Sequence, residues 1–153
     1  MSTMIIKSRP YGEIEIPQDD IITFPFGILA FEDYKEYVIL SDNNNAPLFW
    51  LQNIEDPGLA FVIIKPELIF PEYSPDISTN QLNLLFGNTN INDLSTWCIV
   101  TIPQDQPEKM TMNMQGPLIL SLKKRIGGQF ISGNENHPVR RPILDLIKAG
   151  EIA

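Results

Sequence analysis

The sequence predicts a mainly β fold: a small antiparallel barrel-like domain of curled sheets with two or three short helices. Three observations carry this. Apolar residues alternate with a period of two in several short runs, 13 prolines and 9 glycines punctuate the chain almost end to end, and helical periodicity is confined to brief stretches. A chain of 153 residues buries roughly 70% of its unfolded surface, enough for one core, so residues 1–153 are expected to form a single domain. With 43% hydrophobic and 20% charged residues, the composition is that of an ordinary globular protein.

The elements follow in order. Met4-Ile5-Ile6 and the alternating Glu13-Ile14-Glu15-Ile16, separated by Tyr11-Gly12, predict an opening hairpin. A short helix is expected over Phe31 to Tyr37. Strands are expected at Tyr37 to Leu40, Leu48 to Ile54, Leu59 to Lys65 and Trp97 to Ile102, all rich in β-branched and aromatic residues. Asn43-Asn44-Asn45 and Asp56-Pro57-Gly58 are the loops between the first three. Ser78 with Gln81 forms a capping box, Leu82, Leu85 and Phe86 share a face, and Gly87 supplies a stop, which predicts a helix of two turns. Met110, Met112 and Met114 then lie on one face of a strand, as core filler. Leu118, Leu120 and Leu122 continue the pattern, and Gly127-Gly128 is expected to turn the chain into a strand from Gln129 to Ser132. Pro142 suits a first helical position for a run through Ile143, Leu144, Leu146 and Ile147 to Gly150, or this end is a frayed tail.

The chemistry is sparse. Net charge is −8, and residues 1–100 hold 14 Asp/Glu against 4 Lys/Arg, whereas residues 101–153 hold 5 against 7. A field of that sign repels phosphate backbones and attracts basic partners, so no direct nucleic-acid binding is expected. Lys123-Lys124-Arg125 is too short a basic run to reverse this. Cys98 is the only cysteine, which excludes an internal disulfide, favours a reducing compartment, and places the thiol mid-strand as a small hydrophobe. The longest apolar run, Leu59 to Ile64, is far below the ~18 residues of a membrane span, and no leader precedes it, so a cytoplasmic location is expected. The lone His137 sits in a Pro-flanked loop, Asp19-Asp20 lack the pattern of a calcium loop, and no Cys/His metal spacing exists. No catalytic, cofactor or metal site is therefore expected.

What remains distinctive is a set of Pro- and aromatic-rich phrases. They are Ile21-Ile22-Thr23-Phe24-Pro25-Phe26-Gly27 followed by Phe31-Glu32-Asp33, then Phe49-Trp50-Leu51-Gln52, Asp56-Pro57, Leu59-Ala60-Phe61-Val62 and Phe70-Pro71-Glu72-Tyr73. Val100-Thr101-Ile102-Pro103, Met110-Thr111-x-Asn113 with Gly116-Pro117-Leu118-Ile119, and Pro138-Val139-Arg140 before Pro142 complete the series. In order and spacing the sequence resembles the flagellar assembly factor FliW family over residues 4 to 144. Departures are local: Phe26 stands where an acidic residue is usual, Leu29-Ala30 where Pro-Gly is common, and Met112 and Met114 where smaller or aliphatic residues stand. The resemblance implies a compact β-rich, non-enzymatic, cytoplasmic protein without cofactor. It also implies two alternative partners, flagellin and CsrA, a small RNA-binding dimer that represses flagellin translation. Released when secretion lowers free flagellin, such a protein binds CsrA away from its RNA-contacting surface and relieves repression.

A protein that exchanges partners needs a preformed surface with aromatic anchors and a complementary charge. The candidate partner-binding residues are Glu67, Phe70, Glu72, Tyr73 and Asp76 in a Pro-bracketed segment, and secondly Asp56 in the Asp56-Pro57-Gly58 turn. The alternative for Phe70 and Tyr73 is cover over the core edge. Phe24, Phe31, Trp50 and Phe61 are expected in the core. The competing function is a small-molecule barrel or enzyme whose pocket is lined by Met110, Met112 and Met114 with His137 at its mouth.

Overall fold

The computed structural model describes residues 2–41 and 47–152; the expected Asn43-Asn45 loop lies outside the described residues. The strands are β1 (Thr3–Ser8), β2 (Gly12–Pro17), β3 (Ile22–Thr23), β4 (Glu36–Ser41), β5 (Leu48–Asn53), β6 (Ala60–Ile64), β7 (Leu94–Thr101), β8 (Thr111–Met112), β9 (Leu118–Ser121), β10 (Ile126–Gln129) and β11 (Arg141–Pro142). The helices are α1 (Thr79–Phe86) and α2 (Leu144–Ile152). Seven strands close into a barrel in the order β7-β6-β5-β4-β3-β10-β9, with β9 pairing back onto β7. All pairs are antiparallel except β3 with β10, which meet at Thr23 and Ile126.

The eight residues of β7 give one of its edges two successive partners. Leu94 to Trp97 pair with β9, and Val100 and Thr101 pair with β8, which carries β11 in turn. The sheet thus splits at Cys98 and Ile99, closing the barrel on one side and sending a flap over its outer wall on the other.

Period-two alternation places side chains on both faces of the wall. Inward, Tyr37, Leu51, Ile63 and Trp97 join Ile22, Phe24, Ile28, Leu118 and Leu120 in a cluster that fills the barrel. Outward, Val38 and Leu40 are covered by Ile6 and Ile16 of the β1–β2 hairpin, with Trp50 packed alongside. Also outward, Ile64, Cys98 and Val100 are covered by Met112, Met114, Ile143 and Ile147. Phe24 is fully buried as expected, Trp50 and Phe61 are half-buried, and Phe31 is exposed at the rim, its ring edge-on to Phe61 at 5.4 Å.

Four expected elements differ. The strand expected through Met110, Met112 and Met114 is only Thr111–Met112, although all three methionines pack in the outer cluster. No helix forms over Phe31 to Tyr37: Ile28 bridges Phe31, the Lys35 carbonyl accepts from Phe24 N at 2.7 Å, and Tyr37 belongs to β4, opposite Ile22 and Asn53. Ladder bonds to existing strands outweigh two isolated helical turns. Gly127 and Gly128 lie inside β10, not in a turn, because neighbours press on both. A Cβ on Gly127 would lie 2.5 Å from Leu120 and 2.8 Å from Phe24, and one on Gly128 2.5 Å from Leu85. The turn is Leu122 to Arg125, with Arg125 at φ 57, and the strand ends at Gln129 instead of running to Ser132. Pro142 is held in β11 opposite Thr111, so the last helix starts at Leu144.

Candidate partner-binding surfaces

The proline at Pro66 opens a 3-10 turn after β6, and its carbonyl accepts from both Ile69 and Phe70 N, which swings the following segment across the outer wall. Phe70 and Tyr73 pack half-buried on the outer cluster around Met114 and Ile143. The Tyr73 hydroxyl donates to the Met114 carbonyl at 2.7 Å, and its ring meets His137 edge-on at 5.0 Å. Asp76 ends the segment with its amide donating to Ser132 Oγ at 3.0 Å and its carbonyl accepting from Gly133 at 2.7 Å. Between these anchors Glu67, Glu72 and Asp76 are exposed. The aromatic rings therefore both cover the core edge and hold the acids in place.

Asp56 does not join them. It sits in the β5–β6 turn, with Oδ1 accepting from Gly58 N at 2.9 Å, at the opposite end of β6, a strand roughly 17 Å long. Beside it, buried Gln52 accepts from Arg9 N at 2.8 Å and donates to the Asn53 carbonyl at 2.9 Å, clamping the hairpin to the barrel.

A second, apolar surface was not among the expected sites. Gly27 takes φ +68, where a Cβ would meet the Glu32 backbone at 2.5 Å, and Ala30 takes φ 75. This double reversal buries Ile28 and throws Phe26 and Leu29 outward, 71% and 69% exposed. Leu29 N donates to Gln129 Oε1 at 2.9 Å, and Gln129 Nε2 donates to the Gly116 carbonyl at 3.0 Å, fixing the loop beside α1. In α1, Ser78 Oγ accepts from Gln81 N at 3.1 Å and so caps the helix, and Phe86 is buried while Leu84 is 84% exposed. The two elements bound a groove of about 270 Å³ lined by Phe26, Gln81, Leu84, Leu85, Gly128, Gln129 and Phe130. On the far flank of α1 a second groove, about 260 Å³, runs from Tyr73 and Ile77 to Leu82 and Ile91. The sequence signal for the apolar surface was Leu84, out of phase with Leu82, Leu85 and Phe86, and the pair Phe26 and Leu29 flanking Gly27.

The remaining reactive side chains are committed to structure. Ser132 lies 2.9 Å from His137 Nδ1, is 2% exposed, and accepts from the Asp76 and Asn134 amides through Oγ, so it braces the loop. Cys98 is fully buried, and burial pushes its thiol up to about 12 against the pull of the adjacent Tyr73 hydroxyl. Asp20 pairs with Arg125 at 3.4 Å, and Lys124 Nζ donates to the Phe86 carbonyl at 2.7 Å, capping the end of α1. Met112 and Met114 are buried in the outer cluster with Met110 packed against it, and the inner cluster occupies the barrel. Among the described residues no group of three His, Cys, Asp or Glu side chains could hold a metal ion, and no helix is long and apolar enough to cross a membrane.

Fold and surface together define a small, mainly β protein built on a closed seven-stranded barrel. Residues 5–143 match the family model described as "FliW protein". The chain is 41% identical to the flagellar assembly factor FliW of Leptospira biflexa serovar Patoc, with 94% of this chain and 93% of that protein covered. It is 36% identical to the flagellar assembly factor FliW of Lachnospira eligens, with 97% and 99% covered. A crystal structure of the flagellar assembly factor FliW superposes with a TM-score of 0.83 at 32% identity, covering 92% of this chain and 96% of that one. The chain belongs to the FliW family, a family of flagellar assembly factors and not of enzymes.

Proposed function

We propose that this chain is a non-enzymatic, cytoplasmic flagellar assembly factor that holds flagellin and, when flagellin is depleted, binds and antagonises CsrA, relieving repression of flagellin synthesis. The observation that supports this most is the pinned segment from Glu67 to Asp76. Its acids are exposed while Tyr73 and the Asp76 backbone are fixed by hydrogen bonds to Met114, Ser132 and Gly133. A preformed acidic segment steers a basic partner without an ordering cost on docking. CsrA-type proteins carry basic surface to hold RNA, so the steering favours them, and the same field disfavours direct contact with nucleic acid.

The acids are free to act outward. Among the described residues the ion pairs are Arg125 with Asp20 and Arg141 with Asp145, neither of which engages Glu67, Glu72 or Asp76. Titration of the purified chain with flagellin and with CsrA tests the reading. Saturable one-to-one binding of each is expected, and failure to bind either protein contradicts it.

A further inference from the structure

His137 touches both points at which the acidic segment is fixed. Its ring lies edge-on to Tyr73 at 5.0 Å, and its Nδ1 lies 2.9 Å from Ser132 Oγ, the atom that accepts from Asp76 N at 3.0 Å. Ser132 Oγ also accepts from Asn134 N at 3.3 Å, so both of its lone pairs are taken and its one hydrogen is left to donate to Nδ1. That bond requires a neutral ring with its hydrogen on Nε2. Nε2 lies at the exposed rim of the loop, 3.4 Å from Asn134 Nδ2, and the shorter contact with Ser132 sets the tautomer. A second proton would go on Nδ1, where it points at an oxygen with no lone pair to spare.

We propose that His137 is a positioning residue for the acidic segment, and that its protonation unlatches the segment from the loop that carries Ser132. The charged groups around the ring agree in sign with release. Glu72 and Asp76 on the segment and Glu135 on the ring's own loop are exposed acids, set against the exposed Arg140, and the Asp76 carboxylate lies against Gly133, where a Cβ would be 2.8 Å from Oδ2. His137 takes part in neither ion pair among the described residues, so these acids draw a charged ring outward, away from Ser132. Tyr73 and Cys98 behind it are kept protonated by burial and do not titrate with it. Histidine side chains gain their proton between about pH 8 and pH 5, so the latch holds on the alkaline side of that range and is lost toward the acid side. A loosened segment must be ordered again before a partner docks, which makes the acidic surface pH-sensitive. The latch regulates the surface proposed above, yet its test needs no partner and stands apart from the two-partner reading.

Amide hydrogen exchange of the full chain, resolved by NMR from about pH 8 to about pH 6 and corrected for intrinsic rates, tests this. The amides of Asp76, Gly133 and Asn134 report the latch, since each donates to Ser132 Oγ or to the Asp76 carbonyl, and the amides of β5 and β6 report the barrel. The expected result is a fall of at least about threefold in protection of the three latch amides toward acid, with the barrel amides unchanged. In His137→Asn the protection should stay level, because the Asn Oδ1 accepts from Ser132 without titrating. The ring-nitrogen spectrum of the unsubstituted chain supplies a readout that needs no variant, and at about pH 8 it should show Nδ1 without a proton. Latch protection that is level with pH in the unsubstituted chain overturns the proposal. So does an equal fall in His137→Asn, a fall shared by the barrel amides, or a proton on Nδ1 in the neutral ring.

Discussion

The hydroxyl of Tyr73 donates to the carbonyl of Met114 at 2.7 Å, joining the acidic segment to the strand flap that covers the outer wall of the barrel. Through that bond, packing of the outer cluster fixes the position of Glu72, so stability and surface presentation share one contact.

Tyr73→Phe keeps the ring on His137 and Met114 but leaves the carbonyl without its donor. A loss of about 1 kcal/mol is expected, read as a lower denaturation midpoint with faster amide exchange over residues 70–76. Unchanged exchange in that segment would show that the bond does not hold it.

Glu72→Lys combined with Asp76→Lys reverses two exposed acids while leaving the fold intact. Slower association with CsrA and a weaker dependence on ionic strength are expected by stopped flow, because steering acts on the on-rate. Rates equal to those of the unsubstituted chain at every salt concentration would remove these acids from the interface.

Tyr37 is fully buried in the barrel, and its hydroxyl has no hydrogen-bond partner among the described residues. The neighbouring Asn53 gives one amide hydrogen to the Glu36 carbonyl, and its Oδ1 accepts from the Glu55 and Asp56 amides. Tyr37→Phe removes a desolvated polar group and should leave the melting temperature equal or higher. A clear drop would mean that the hydroxyl has a partner.

Burial pushes both the Cys98 thiol and the Tyr37 hydroxyl up to about 12, from ordinary values of 9.0 and 10.0. Both therefore stay protonated in the folded chain while the unfolded chain releases their protons, first the thiol and then the phenol. Above about pH 9 the unfolded state binds fewer protons, so stability should fall as pH rises, by about 1.4 kcal/mol per unit for each group. Denaturant midpoints should show no decline from these groups below about pH 8.5 and a decline above about pH 9; for Cys98→Ala the decline should begin about one unit higher. A midpoint flat through about pH 11 would contradict this.

Much of the fold was legible in short apolar runs and their punctuation. Tyr37 to Leu40 and Trp97 to Ile102 are nearly continuous apolar runs because both faces of the wall are buried, so β-branched and aromatic content marks them as strands, and Ser78 with Gln81 announced α1. Two-residue strands such as Ile22–Thr23 and Arg141–Pro142 are too short to show a period, and only tertiary pairing creates them. Gly127-Gly128 gives the same local signal whether it turns the chain or makes room for Leu120, Phe24 and Leu85. Of the surfaces, the acidic segment was legible because Phe70, Tyr73 and their flanking acids are contiguous. The apolar groove was not, since Phe26, Leu84 and Phe130 meet only through the reversal at Gly27 and the seating of α1 on β10.

Whether flagellin and CsrA exclude each other on this chain is decided by competition. Asp76 lies two residues before the Ser78 cap of α1, and Tyr73 and Leu82 line one groove, so the acidic segment and that flank of α1 form one continuous surface. A typical partner covers about 800 Å² on each side, so one docked partner covers much of that surface. Adding CsrA to a preformed complex with flagellin, followed by size-exclusion chromatography, should yield two binary complexes in proportions set by concentration. A stable complex containing all three proteins would contradict the account.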